Sequence, residues 1–279
     1  MLQATIEQSL IFGIMVLGVY ISFRILNFPD MTVDGSFPLG AAVSAKLLTI
    51  GINPYVSLLI AILAGALVGA VTGILHVKLK VKDLLAGILV MTALYSINLR
   101  IMGKSNIPLF EEKNIFNTDF SNLTIIILLI LISKFLLDFL LKTKFGFALK
   151  ALGDNENLIT SLGLDEKKYK IYGLMLSNSF VALSGAILAQ YQGFADVGMG
   201  TGTIVIGLAS IIIGDTLFSK RKRKMGTTIA IIGSIFYRGV VALTLSLGLN
   251  ASDLKMITSI IVILVLWIRH QRGKGSDIL

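Results

Sequence analysis

The sequence of 279 residues has no cysteine, only two histidines and four prolines, and just 15% of it is charged. Without thiols there is no disulfide framework, no thiolate metal site and no cysteine nucleophile. His76 and His270 are too few for a histidine cluster, so neither a metal nor another cofactor is expected. The shortage of charge excludes an ordinary soluble domain: 55% of the residues are hydrophobic and the mean hydropathy is +0.85, a surface water would not solvate. What is present in abundance is long apolar sequence. A hydrocarbon core takes roughly 20 apolar residues per helix, so several crossings consume nearly the whole chain.

Apolar runs fall at residues 5–23, 37–50, 55–76, 84–102, 122–141, 170–192, 202–218, 226–247 and 254–268. The expected fold is all-α: a single transmembrane domain over 1–279, with eight or nine transmembrane helices and one membrane-embedded or broken segment. The weak segment is 37–50, which is short and carries Lys46; if it crosses, the amino terminus lies outside, and if it dips in and returns, inside. The first segment has no Lys or Arg before it and no small-residue cleavage site, and reads as a retained helix.

Basic residues set the orientation. Lys78, Lys80 and Lys82 share one short loop, and residues 220–224 form a basic pentad in another. Lys142, Lys144, Lys150, Lys167, Lys168 and Lys170 lie between the fifth and sixth runs, and Arg269, Arg272 and Lys274 lie in the tail. Alternating the spans puts all four groups on one side, which the positive-inside rule makes cytoplasmic, the carboxyl terminus included. The net charge of +9 is thereby explained by topology and an anionic inner leaflet, not by nucleic acid.

Polar residues within apolar runs are the candidates for a solute path. Arg238 lies twelve residues into the eighth run, too deep to reach the inner interface, and must face protein or water. An internal pair with a carboxylate or helix carbonyls competes with a role in attracting an anionic solute group. Asn98 and Arg100 near the outer end of the fourth run are placed to snorkel to the interface or to line the path, and Asn178 and Gln190 in the sixth to hydrogen-bond between helices or to line it. The connection PDMTVDGSFP contains Asp34 and Ser36; Ser36 is expected to cap a helix beginning near Pro38, with a broken path-lining helix as the alternative. Gly65, Gly69 and Gly73 strip one helix face for close packing, within the chain rather than between subunits. Gly198, Gly200 and Gly202 lack the GK[ST] ending of a phosphate loop and read as a turn.

Residues 142–174, KTKFGFALKALGDNENLITSLGLDEKKYKIYGL, are too hydrophilic to cross. A short amphipathic helix over 147–152, a polar break at 153–156 and a second turn ending at Gly163 would offer a compact surface to a soluble partner. Gly146, Ala148, Lys150 and Ala151, then Ser161, Leu162, Gly163 and Leu164, resemble the coupling segment of permeases in the branched-chain amino acid family of ATP-binding-cassette importers. LSNSFVALSGAILAQYQGFADVGMGTG at 176–202 and LNFPDMTVDGSFPLGA at 26–41 are similar to further family segments, so the resemblance spans most of the chain. A Glu-Ala-Ala triplet before the coupling glycine is missing; the region reads Leu149, Lys150, Ala151, Leu152, Gly153.

The resemblance implies a non-enzymatic subunit in a bacterial cytoplasmic membrane, moving an amino acid or similar small polar solute inward. Its implied partners are cytoplasmic ATPase subunits, an extracellular solute-binding lipoprotein and a second permease copy. The ATPase contact would fall on Gly146, Lys150, Ala151, Gly153, Asp154, Asn155, Gly163 and Leu164. An ion-coupled secondary transporter is the alternative; a membrane scaffold needs no path, and an intramembrane enzyme lacks a convergent set of reactive groups.

Overall fold

The computed structural model describes residues 2–218 and 222–246, with isolated positions beyond; the ninth apolar run and the basic tail fall outside the described residues. Ten α-helices and one two-stranded ribbon make up the described chain. α1 (Leu2–Val19) continues into a π-helical turn (Tyr20–Ile25), followed by α2 (Val33–Thr49), α3 (Pro54–Val77) and α4 (Asp83–Met102). α5 (Asn122–Lys142) leads to two short helices, α6 (Lys144–Asp154) and α7 (Glu156–Ser161), then α8 (Glu166–Gln192), α9 (Thr203–Leu217) and α10 (Lys222–Ser246). Seven of the described helical stretches are long and apolar enough to cross a bilayer. The eighth, α2, is 17 residues, about 25 Å at 1.5 Å per residue. The chain is an all-α, multi-pass membrane protein.

α8 is the axis, with α1, α2 and α3 packed around it. In lipid, close backbone approach replaces the hydrophobic drive, and small residues permit it. A Cβ at Gly40 would run into the Ala182 carbonyl, and one at Gly185 into that of Phe37. The Gly65, Gly69 and Gly73 stripe abuts Asn178, Leu174 and Ile171 of α8, an intramolecular seam as the sequence indicated. α1 runs antiparallel to α8: Tyr191 donates to Glu7 at one end (2.7 Å), Ser184 to Ile11 O (2.7 Å), and Ser177 to Gly18 O (2.8 Å) toward the other. α2 runs parallel to α8, from Ser36 beside Asn178 to Ser44 beside Gln190.

These pairings give the bundle two distinct ends. At one, β1 (Asn106–Pro108) pairs antiparallel with β2 (Phe194–Asp196), tying the α4–α5 and α8–α9 connections together; Ile107 faces Ala195 in register. At the other, Leu26, His76, Asp83 and Lys170 surround one small cavity, and α6 lies against Ile25. That second end carries the basic loops. α2 runs from the level of Asn178 to the ribbon end, where residue 7 of α1 also sits, the arrangement expected if the segment left open by the sequence crosses.

α2 begins four residues before Ser36 was expected to cap it, and Pro38 lies inside the helix. The reason is upstream: Asp30 Oδ1 accepts from Thr32 N (2.9 Å), nucleating the first turn, while the Ser36 hydroxyl is taken by Asn178. Pro38 has no N–H for the Asp34 carbonyl, which weakens the helix at that level.

Candidate coupling surface and solute path

The water-facing pair α6–α7 is built by local capping. Thr143 accepts from Gly146 N (3.3 Å) to start α6, and Asn155, extended at φ −161°, accepts from Asn157 N (3.0 Å) to start α7. Asp165 then accepts from Lys167 N (3.0 Å) and opens α8, while Gly163, at φ +73°, makes the left-handed turn between them. The break is a single residue, Asn155, narrower than the 153–156 expected, because Gly153 and Asp154 complete α6. Leu149 and Leu152 are buried, and Gly153 presses against the π-helical turn so closely that a Cβ would collide with the Ile25 carbonyl. Gly146 is likewise packed under α5, against the Leu140 carbonyl.

The eight residues expected at this surface therefore divide. Lys150, Asp154, Asn155, Gly163 and Leu164 are exposed, whereas Gly146 is buried, and Ala151 and Gly153 are half-buried and face the bundle. Lys150 Nζ donates to Leu141 O (3.0 Å) at the α5 terminus, where a cation complements the free carbonyls. Sequence reasoning missed Leu158 and did not single out the outward-facing side chains of Phe147 and Leu162; the three are 48%, 62% and 64% exposed. Large apolar groups on a hydrophilic segment that do not join its buried face were the available signal.

Inside the bundle, the residues proposed for a path form three groups. Ser36 donates to Asn178 Oδ1 (2.6 Å), and Asn178 Nδ2 donates to Asp30 Oδ2 (2.8 Å) and Leu174 O (3.1 Å); all three side chains are buried. Burial pushes the Asp30 carboxyl above the usual carboxylate range, opposed by the bonds from Thr32 and Asn178. Gln190 is equally internal: it accepts from Ile115 N (3.0 Å) and donates to Ser44 (2.9 Å) and Ser57 (3.1 Å). These groups join α2, α3 and α8.

Asp34 sits elsewhere. Its carboxylate caps α9, accepting from Gly202 N (2.9 Å), Ile204 N (2.7 Å) and the Thr203 hydroxyl (2.9 Å). The connection from Gly193 thus turns back down from the ribbon, and α9 starts inside the bundle, at the level where α2 meets Met91 of α4. A helix that begins at depth is a broken segment, and its positive end is met by a carboxylate. Asn98 donates to Gly35 O (3.2 Å) from α4. Asp34 and Asn98 line one cleft of about 280 Å³, with Thr92, Tyr95 and Thr201.

Arg100 is exposed on α4 and joins none of these three groups. Arg238 lies with its guanidinium 3.9 Å above the centre of the Phe12 ring, which in turn stacks on Phe37 at 5.5 Å. No carboxylate among the described residues pairs with it; of the two internal partners expected, a carboxylate or helix carbonyls, the carboxylate is absent, and a cation–π stack links α10 to α1 and α2. Within α5, Lys134 pairs with Asp138 at 2.6 Å, and Asp138 also accepts from Thr227 of α10 (2.6 Å).

A bundle wound on one glycine-seamed helix, with a capped helical pair outside it, is matched over residues 1–267 by the family model for the permease component of branched-chain amino acid transport systems. The chain belongs to that family. Permeases of this family are transport subunits, and the sequence resemblance read from residues 26–41, 142–174 and 176–202 is upheld. Among curated relatives, the tyrosine transport system permease of Clostridioides difficile is 53% identical over 260 residues, covering 93% of this chain and 88% of its own. The ribose import permease RbsC of Escherichia coli is 26% identical over 272 residues, 93% of this chain and 82% of its own. Among solved structures, PsaBC from Streptococcus pneumoniae in complex with a Fab is alike at a TM-score of 0.57 and 14% identity, covering 94% of this chain and 89% of that one. That likeness concerns the fold alone.

Proposed function

We propose that this permease is the membrane subunit of an ATP-driven importer for an amino acid of the tyrosine class. The supporting observation is the α6–α7 pair: a capped, water-facing helical unit that seats on α1 through Gly153 and presents Phe147, Leu158 and Leu162 outward. Apolar groups of that size exposed beyond the membrane call for a protein partner. A soluble ATPase docked there would push α6 against the π-helical turn at the foot of α1, and α1 contacts α8 along its length. Closure of the ATPase pair would then bias the bundle between two arrangements through one contact. The basic end faces the cytoplasm, the ribbon end faces an external solute-binding lipoprotein, and two permease copies flank the path. The 53% identity to a tyrosine transport permease supports the solute class.

The test is affinity purification of the full chain in mild detergent from cells that carry its neighbouring subunits, with identification of what co-purifies. An ATPase recovered with wild type and lost with Leu158→Glu and Gly163→Arg, in protein that still elutes as a folded species, is the expected result. Repeated recovery of folded permease without an ATPase, together with uptake that survives ATP depletion but collapses with the ion gradient, would replace this reading with an ion-coupled transporter.

A further inference from the structure

We infer that the cleft beside the start of α9 is a waypoint binding site for the ammonium group of the transported amino acid, with Asp34 and Asn98 as its acceptors. The inference rests on the amino-acid permease reading above and assigns a part of the recognition to two residues.

The argument is an account of donors and acceptors. A carboxylate has about four lone-pair sites. At Asp34, Oδ1 accepts from Thr203 and Ile204 and Oδ2 from Gly202 alone, so one site on Oδ2 is open. Asn98 is fully buried, uses its amide nitrogen on Gly35 O, and leaves its Oδ1 without a partner. A buried carbonyl of this kind costs about 1–3 kcal/mol unpaired, so one that persists is a place to look for a ligand. Three donors in the lining are used, Gly198 N on Asp196 (2.7 Å), Thr201 N on Gly198 O (3.1 Å) and the Thr92 hydroxyl on Ile88 O (3.0 Å), while the Tyr95 and Thr201 hydroxyls can donate or accept. No Lys or Arg is in the lining.

The cleft therefore holds no cationic donor and has surplus acceptors, one of them a carboxylate. An ammonium, with three N–H donors and a positive charge, matches it; a carboxylate or phosphate would face the Asp34 charge with only neutral hydroxyls to donate to it. The positive end of α9 does not reverse this, because Asp34 already occupies it. Met91 and Tyr95 supply an apolar and aromatic wall for a side chain. At about 280 Å³ the cleft is just below the roughly 300 Å³ at which ligand clefts begin, a size for one small solute. Asp34 lies level with Met91, eight residues into α4 and so about 12 Å from its basic end. That depth places the cleft between the two ends of the bundle, on the side where Thr92 and Tyr95 of α4 are exposed and a path flanked by a second copy could run.

The natural absence of cysteine gives a direct test. A Thr201→Cys chain, reconstituted whole into lipid nanodiscs, is labelled with trimethylammonium-ethyl and with sulfonatoethyl methanethiosulfonate, each rate divided by that for a free thiol. The expected result is at least tenfold preference for the cationic reagent, falling to near unity in Asp34→Asn. L-tyrosine and tyramine should slow labelling, and 3-(4-hydroxyphenyl)propionate, which lacks the amine, should not; Asn98→Leu should remove that protection while the unfolding temperature stays close to that of the parent. No labelling, no charge preference, equal protection by all three compounds, or protection unaffected in Asn98→Leu would each overturn the proposal. If an ATPase co-purifies and L-tyrosine still gives no protection, the importer reading stands and this site falls.

Discussion

At the residue scale, two polar side chains carry most of what distinguishes this interior from plain hydrocarbon packing. Asn178 joins the α1–α2 connection to α8 by holding Asp30 and Ser36 at once. Replacing it by leucine leaves the Ser36 hydroxyl and Asp30 Oδ2 buried without that partner, Asp30 Oδ1 keeping Thr32 N, at about 1–3 kcal/mol for each group left unpaired, and the leucine branches must also fit where Gly65 closes on the Asn178 carbonyl. Thermal unfolding in detergent should show a clear loss for Asn178→Leu, while exposed Arg100→Ala should stay within about 0.5 kcal/mol of the parent. Arg238 differs in kind. Its charge is met by an aromatic face, and its Nε has no hydrogen-bond partner among the described residues. Arg238→Ala should insert normally and retain its partners but lose most uptake of labelled solute; undiminished uptake would make the stack purely structural.

At the element scale, α6 is the informative piece. Its apolar side is satisfied inside the molecule and its other side is not, which separates what seats the helix from what it offers to a partner. Gly153→Val adds a branched side chain where a single Cβ already collides with the Ile25 carbonyl, so α6 must lift from the π-helical turn. The exposed surface would be kept. Gly153→Val should therefore still recover the ATPase on purification yet show a several-fold fall in uptake per ATP hydrolysed, whereas Leu158→Glu should lose the ATPase itself. Loss of the ATPase in both, or full coupling in Gly153→Val, would separate transmission from this seat. α9 shows the converse economy: one carboxylate, Asp34, satisfies three donors of a helix that starts away from water, and the usual cost of losing such a cap is about 0.5–2 kcal/mol.

For the whole molecule, the order of packing is a core of α1, α2 and α3 on α8, with α4, α5, α9 and α10 outside. The exposed apolar residues of α3, α4 and α5, such as Leu63, Leu67, Leu89 and Phe139, are what a lipid-facing perimeter requires. Sidedness follows from the two ends. Single cysteines at Gln3, Asn106, Lys80 and Asp154, in a chain with no thiol of its own, should divide into two pairs under an impermeant reagent on intact cells. Gln3 and Asn106 should react from outside, and Lys80 and Asp154 only after permeabilisation. Reaction of Gln3 with the second pair would mean that α2 does not cross.

Much of this was legible in one dimension. Apolar length and basic loops sufficed for the fold class, the order of the apolar helices and the hydrophilic, water-facing segment between α5 and α8, because the bilayer imposes its thickness and charge asymmetry on sequence directly. The Gly65, Gly69 and Gly73 stripe was legible as a seam for the same reason: spacing of four is a property of the helix alone. Which helix fills that seam was not, since α8 lies about a hundred residues away. The start of α2, the depth at which α9 begins and the grouping of Asp34 with Asn98 but not with Ser36 or Asn178 were likewise decided only in three dimensions. Each depends on a hydrogen bond between residues distant in the chain, Asp34 to Ile204 or Ser36 to Asn178, and such a bond exists only once the helices have packed.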